Sequence, residues 1–323
     1  MMKNQTGQAG MTTTRRAALI GAGTAFTLAA CGPASPRAAG DVIAAGQPAA
    51  LLIWAIARQR LAGWPRKPTG GALAALPPLA ADLPELGALA SGGQPANLEA
   101  IAALKPRLVI DYGDIDPDYR SLADRMQTRL GVDWRLIDGA LTKIPEAIRE
   151  TARLLDADQA AAGLADEAAR ILDRWRGAPG GSSFYYARGN DGLETGFRGS
   201  LATEVLEGAG WTNVAGESND IGRVTREQVV AWDPETLVTL SPAFAAAVGN
   251  DPVWRARRDG RRRRLLLLPD QPFGWMDRPP SLNRLLACVW LADPAGSQTT
   301  IADLSRRLYG TTPTGMAMPQ WIP

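Results

Sequence analysis

Residues 144–176 form an unusually long helix-favouring stretch, dense in Ala, Leu, Arg, Asp and Glu. Its one proline, Pro145, stands near the start, where a helix tolerates it. Ile148, Ala152 and Leu155, then Leu164, Ala168, Ile171, Leu172 and Trp175, recur at three- and four-residue spacings, so one face is apolar. Gly163 marks a break or a close packing point. A coil linker of this length would be polar and rich in Gly and Ser. The stretch therefore predicts a stiff helical connector, and its flanks say what it connects.

Before it, residues 41–45 are β-like and run through Gly46-Gln47-Pro48 into the helix-favouring stretch 49–57, the opening of an α/β unit. Leu104-Lys105-Pro106 precedes Arg107-Leu108-Val109-Ile110-Asp111, a compact apolar run typical of a strand buried on both faces. A helix over 118–130 and a strand over 133–137 complete a first lobe, residues 41–138. Beyond the connector (139–179), strands are expected at 183–187, 236–240 and 265–268, with helices at 200–208 and 301–308. The second lobe is 180–323, ending in a helix and a Pro-rich tail. The fold class is α/β: two Rossmann-like lobes joined by one long connector helix. The length of 323 residues fits two lobes of ~100–150 residues each with a leader.

Composition narrows the chemistry. The chain has no histidine, which excludes a Ser-His-Asp triad, a Cys-His pair and a His-ligated zinc site. Its two cysteines, Cys31 and Cys288, cannot make a thiolate cluster, and lipidation of Cys31 would leave Cys288 alone. The net charge of +2 gives no global field for nucleic acid. The basic run Arg261-Arg262-Arg263-Arg264 is read as a solvated loop.

The N-terminus is an address. Thr14-Arg15-Arg16 leads into the apolar run 17–30, ending Leu28-Ala29-Ala30-Cys31-Gly32. The basic start, short apolar core and small residues at the cut describe a secretory signal over 1–31, too short to span a bilayer. The ending resembles a bacterial lipobox, with Cys31 acylated. The arginine pair resembles a twin-arginine signal, with ordinary Sec export the alternative. Met11 is a second possible start, and 32–40 reads as a tether.

In open α/β lobes, ligands sit at the carboxyl ends of strands. The loops there supply the candidates. Gln47 stands in the turn before the first helix. Trp64 offers a flat apolar face and Arg66 a fork of donors for oxyanions; the alternative is a tryptophan packed in its own lobe. Tyr112 follows Asp111 at a strand end. Tyr185 and Tyr186 alternate on their strand, so at most one faces a cleft; Tyr186 is the choice. Arg188 precedes a loop with Gly189, Gly192, Gly196 and Gly199 that contains Arg198 and reaches a helix start at Ser200. That loop either exposes N–H groups to an anion or uses its glycines for hairpin geometry alone. Phe273 and Trp275 flank Gly274 as an apolar wall, with Asp277 as an acceptor.

Several segments resemble one family. Asn97-Leu98-Glu99-Ala100-Ile101-Ala102-Ala103-Leu104-Lys105-Pro106-Arg107-Leu108-Val109-Ile110 matches "N-x-E-x-I-x-x-L-x-P-D-L-V-I". Trp211-Thr212-Asn213-Val214-Ala215 matches "G-G-x-N-V-A", and Glu227-Gln228-Val229-Val230-Ala231-Trp232-Asp233-Pro234-Glu235 matches "E-x-L-x-x-x-D-P-D". In this order they resemble the periplasmic binding proteins of ABC importers for ferric siderophores, haem and cobalamin, over about 41–309. The segment 271–281 looks like a subgroup of iron-complex binders. The resemblance implies a monomer that delivers a small ligand to a permease and ATPase complex, docking through one acidic residue per lobe. Glu204 is the match on the second lobe. The family's first-helix glutamate is missing from 48–54, so Glu85 or Asp82 would substitute.

The expected ligand is an anionic metal chelate or oxyanion, foremost a ferric siderophore-like complex. The expectation includes no resident cofactor and no bare metal site, although the ligand can carry ferric iron. Molybdate or tungstate, then intact cobalamin, are the alternatives within the fold. The alternative of another class is an exported enzyme using Ser200; without histidine it would need a lysine or carboxylate base, and Lys3, Lys67, Lys105 and Lys143 all lie far away in sequence.

Overall fold

The computed structural model describes residues 40–90, 94–218, 220–249, 251–313 and 315–322. The signal, the lipobox with Cys31 and the tether up to residue 39 lie outside the described residues.

The first lobe is a parallel three-stranded sheet in the order β1 (Val42–Ala44), β2 (Leu108–Gly113), β3 (Asp133–Asp138). Leu108, Val109 and Ile110 are all buried, as a strand covered on both faces requires. Helix α1 (Gln47–Ala57) follows β1 and is buried almost all round. It packs on β2, on a connector helix and on a helix from the far end of the chain. Three short helices, α2 (Gly70–Ala74), α3 (Leu79–Asp82) and α4 (Leu98–Ala103), fill the crossover to β2. Asn97 caps α4 by accepting from the N–H groups of Glu99 and Ala100. Helix α5 (Pro117–Leu130) joins β2 to β3; Asp116 caps its start, and Gly131 at φ 65° ends it in the left-handed conformation.

The expected single connector helix is two. Helix α6 (Ile144–Leu154) stops, and α7 (Asp158–Arg176) begins after a left-handed Asp156 with φ 54°. The break has partners from the first lobe. Arg60 Nη1 donates to the Leu155 carbonyl at 3.0 Å, and Arg107 Nη2 donates to that of Leu154 at 2.8 Å. These guanidinium groups satisfy carbonyls that a helix end leaves orphaned. Helix α6 lies against β3 and α1, and α7 packs against α6. Trp175 near the end of α7 donates from Nε1 to the Val205 carbonyl at 2.9 Å.

The second lobe contains β4 (Ser183–Ala187), β5 (Glu194–Gly196), α8 (Glu204–Glu207), β6 (Thr212–Asn213), β7 (Ile221–Arg223), α9 (Arg226–Trp232), β8 (Thr236–Thr239), α10 (Pro242–Val248), α11 (Pro252–Arg255), β9 (Arg264–Leu267), α12 (Arg284–Ala292), α13 (Gln298–Tyr309) and β10 (Gln320–Ile322). Its main sheet has the order β10-β9-β8-β4-β6, parallel except for the edge strand β10. Strands β5 and β7 form a separate antiparallel ribbon. The helix expected over 200–208 is regular only over Glu204–Glu207, after a turn that starts at Ser200. Helix α12 packs on α7, and α13 packs on both α12 and α1. Trp54 Nε1 donates to the Tyr309 carbonyl at 3.0 Å, so the last helix ties the second half of the chain to the first lobe.

The basic run is not simply solvated. Arg263 is 1% exposed; it pairs with Asp233 at 2.8 Å and donates to the carbonyls of Pro234, Val253 and Trp254. Arg264 lies over the Trp321 ring at 4.7 Å. Arg261 and Arg262 are exposed, as expected.

Candidate ligand cleft between the lobes

The carboxyl ends of the strands meet in a cleft of about 410 Å³, a size typical of small-molecule sites. The first lobe supplies the start of α1 (Gly46, Gln47, Pro48), then Pro65 and Arg66, and the end of β2 (Asp111, Tyr112, Gly113) with Asp114. The second lobe supplies Arg188 after β4, the turn Ser200-Leu201-Ala202, Asp220 and Ile221, and the segment Asp277-Arg278-Pro279-Pro280. The amino end of the 11-residue α1 has no side-chain cap, and its dipole favours negative charge there.

Arg188 and Asp277 form one wall. Asp277 is 1% exposed; its carboxylate accepts from Tyr186 Oη at 2.6 Å and from Arg188 Nε at 2.6 Å. Arg188 Nη1 pairs with Glu194 at 2.9 Å. Two guanidinium nitrogens are thus held by acids before any ligand arrives. Burial first, and then the charge of Asp277, push the Tyr186 phenol well above its usual range, so it remains a donor.

Two other arginines are differently placed. Arg66 and Arg278 line the cleft from opposite lobes, both are exposed, and neither has an acidic partner among the described residues. The Gln47 side-chain carbonyl accepts from the Arg66 backbone N–H at 3.1 Å. Arg278 has φ 61°, a left-handed backbone that a non-glycine residue adopts at a cost and that recurs at functional sites.

Carboxyl groups line the same cleft. Asp111, 5% exposed, accepts from the Tyr112 N–H at 3.0 Å, and burial pushes its carboxyl up to about 6. Asp114 is also pushed up, by burial and then by the charges of Asp116, Asp138 and Asp220. The cleft is therefore of mixed polarity: guanidinium groups without an acidic partner among the described residues on both lobes, and carboxyls shifted upward by burial on the first.

Of the sequence candidates, Gln47, Arg66, Tyr112, Arg188, Ser200 and Asp277 line this cleft. The others do not. Trp64 is fully buried, tilted against Trp54 with ring centres 5.0 Å apart, and donates to the Ala80 carbonyl. Phe273 packs on Tyr309, and Trp275 is fully buried in the same core. The apolar wall expected from aromatics is made instead by prolines, small aliphatic residues and tyrosine. Tyr186 is buried and acts through Asp277. Arg198 turns away to Glu217 at 3.2 Å and to the Asn213 carbonyl at 2.9 Å. Ser200 faces Thr203, its Oγ 3.2 Å from Thr203 Oγ1; with no regular helix at its position, the expected dipole is missing. The glycine loop builds the β5–β7 ribbon, and at Gly192 (φ 69°) a side chain would strike the Phe244 ring.

Glu204 does not stand free at a lobe tip. Its Oε2 accepts from the Leu141 N–H and from Arg284 Nη1, both at 2.8 Å. Arg284 is fully buried and also donates to the Gly139 carbonyl. Short helix α8 packs on α12, which turns the Glu204 carboxylate inward. Glu85 is exposed, but its carboxylate accepts from the Lys67 N–H at 2.9 Å; Asp82 is exposed at the end of α3.

Sequence reasoning missed Asp111, Asp114, Asp220 and Arg278 as cleft residues. A lone acid at the carboxyl end of a doubly covered strand was an available signal for Asp111; Arg278 carried none.

No protein-family profile and no curated protein matches the chain. Solved structures do. An ABC transporter solute-binding protein from Sulfurospirillum deleyianum matches with a TM-score of 0.74 at 24% identity, over 85% of this chain and 91% of that one. The molybdate-bound periplasmic binding protein MolA of Haemophilus influenzae matches with a TM-score of 0.63 at 17% identity, over 87% and 95%. The periplasmic vitamin B12 binding protein of Vibrio cholerae matches with a TM-score of 0.59 at 20% identity, over 82% and 97%. The sheet orders, the interlobe cleft and these likenesses lead to one statement: this chain has the two-lobed α/β fold of the solute-binding proteins of ABC transporters.

Proposed function

We propose that the chain is the solute-binding component of an ABC importer, and that it carries an anionic metal chelate of ferric siderophore type. The observation that carries this reading is that Arg66 and Arg278 line the cleft from opposite lobes, both exposed and without an acidic partner among the described residues. A ligand bridging them would satisfy both lobes at once and favour their closure. The carboxyls of Asp111 and Asp114 favour a chelate over a bare oxyanion. A chelate offers donors as well as acceptors to this mixed lining, whereas molybdate or tungstate offers acceptors only. The cleft is also far roomier than one small oxyanion needs, while an intact corrinoid is much larger than the ligands such a volume commonly holds. The chain's role is to bind and release; Ser200, engaged with Thr203, supports no nucleophile.

Delivery would take place outside the cytoplasm, with the protein held at the membrane by lipid on Cys31. Comparing the full-length chain with Cys31→Ala tests this: equal solubility of both in the cytoplasm sinks it.

The ligand reading is tested by titrating the purified chain with ferric citrate, a ferric tricatecholate and molybdate, following tryptophan fluorescence. Each charge-assisted contact is worth roughly ten- to a hundredfold in affinity, so Arg66→Gln and Arg278→Gln should each weaken chelate binding by that factor. Saturation by molybdate without response to either chelate would replace the reading by the oxyanion one. Chelate binding unchanged in both variants would remove the arginine pair.

A further inference from the structure

A second pocket, of about 320 Å³, lies in the second lobe and is lined by Gly249, Asp251, Arg255, Arg261 and Arg262 among others. It is remote from the cleft by topology. Helix α10 carries the chain from the carboxyl end of β8 back to the amino end of β9, and the cleft occupies the carboxyl ends. Arg255 is 4% exposed, and its Nε and Nη1 are buried without a hydrogen-bond partner among the described residues.

The surrounding acids are committed elsewhere. Asp251 pairs with Arg226 and caps α11 by accepting from the N–H groups of Val253 and Trp254. Asp259 pairs with Arg257 at 3.3 Å and lies 3.9 Å from Arg261. Arg262 donates to the Gly249 carbonyl at 3.3 Å and has no acidic partner among the described residues. Burial and then the neighbouring Arg262 pull Arg255 below its usual pKa, as an unneutralised pair of cations would. The support is rigid: the buried Arg263 ties the carbonyls of Val253 and Trp254 to Asp233, and the Arg263 N–H donates to the Arg255 carbonyl at 2.7 Å.

A buried guanidinium without an acceptor is costly, and here the group that would relieve it is an anion entering between Arg255 and Arg262. We propose that this pocket is a second binding site, specific for a phosphate-type oxyanion, either free or as the headgroup of an anionic lipid. Arg255 supplies the inner donors, and Arg262 and Arg261 the mouth.

The test uses the purified chain carrying Cys31→Ala, so that no lipid anchor contributes to vesicle binding. Melting temperature and calorimetric titration are measured in sodium phosphate and in sodium chloride of equal ionic strength. Binding to phosphatidylglycerol vesicles is compared with binding to phosphatidylcholine vesicles. That chain should be stabilised by phosphate over chloride, or bind the anionic vesicles, or both. Arg255→Met should abolish the response, and Arg262→Gln, a surface change that leaves the core intact, should weaken it roughly tenfold or more. An Arg66→Gln/Arg278→Gln double variant should keep it, which separates this site from the cleft and from the function proposed for it. A phosphate response without vesicle binding identifies a soluble anion; vesicle binding alone identifies a headgroup. The proposal is overturned if phosphate and chloride act alike and neither vesicle binds. It is equally overturned if the response survives both Arg255→Met and Arg262→Gln, or disappears in the cleft variant.

Discussion

Arg284 and Glu204 meet at 2.8 Å, and both also bind backbone at the start of the connector, directly after β3, at Gly139 and Leu141 respectively. The pair therefore ties the second lobe to the start of the connector as well as neutralising a buried guanidinium. Removing one partner of such a pair strands the other. Glu204→Ala should destabilise the chain by about 2–4 kcal/mol, the lower part of the range because Glu204 is partly exposed. Glu204→Gln, which keeps an acceptor, should cost less. Chemical denaturation of both variants measures this; an alanine variant as stable as wild type would mean that the contact does not hold the second lobe to the connector.

Asp111 predicts a pH dependence of the opposite sense from an ion-paired carboxylate. Its carboxyl is pushed up to about 6 by burial, so the native chain holds that proton more tightly than the unfolded chain does. Its contribution is most favourable below the unfolded value of about 4 and is lost as pH rises through about 6. A shift of that size corresponds to at most about 3 kcal/mol. Asp111→Asn, which can still accept from the Tyr112 N–H, should raise the melting temperature at pH 7.5 and leave it nearly unchanged at pH 4. Equal gains at both pH values would rule out titration of Asp111 as the cause.

Arg188 was attractive in sequence because it leaves an aromatic strand beside a cluster of glycines. The structure gives it two acids, Asp277 and Glu194. Arg188→Ala should therefore act first on stability, by about 2 kcal/mol or roughly 4–8 °C. Any loss of ligand affinity should be smaller than that caused by Arg278→Gln. A variant that melts like wild type but binds poorly would return Arg188 to direct ligand contact.

These cases show what was legible. The α/β pattern was readable because Leu108-Val109-Ile110 stands apolar between Pro106 and Gly113, and covered strands look like that whatever else the chain does. The break between α6 and α7 was not, because it depends on Arg60 and Arg107, which reach it from 95 and 47 residues away. Trp64 and Trp275 were misplaced for another reason. A ligand wall and a core wall need the same apolar side chains, and only packing decides which side of a loop they take. Arg278 and Asp111 gain their cleft positions from the meeting of two lobes, which no local pattern encodes.

The last prediction concerns motion. A single stiff connector helix would limit closure, and the structure, with two connector helices, limits it by other means. The α6–α7 hairpin packs on both halves of the chain. Ser281 Oγ donates to the Pro48 carbonyl at 2.8 Å, Trp54 reaches the Tyr309 carbonyl, and Arg284 reaches Gly139. A wide hinge would have to break these contacts together. Ligand binding should therefore bring only a small rearrangement, of loop and side-chain scale at the cleft rim where Arg66 and Arg278 are exposed. Small-angle scattering with and without ligand should show nearly the same radius of gyration. Breaking the Ser281 and Glu204 contacts together should widen the unliganded particle and leave the liganded one closer to wild type. A large contraction of the wild-type chain on binding would contradict this account.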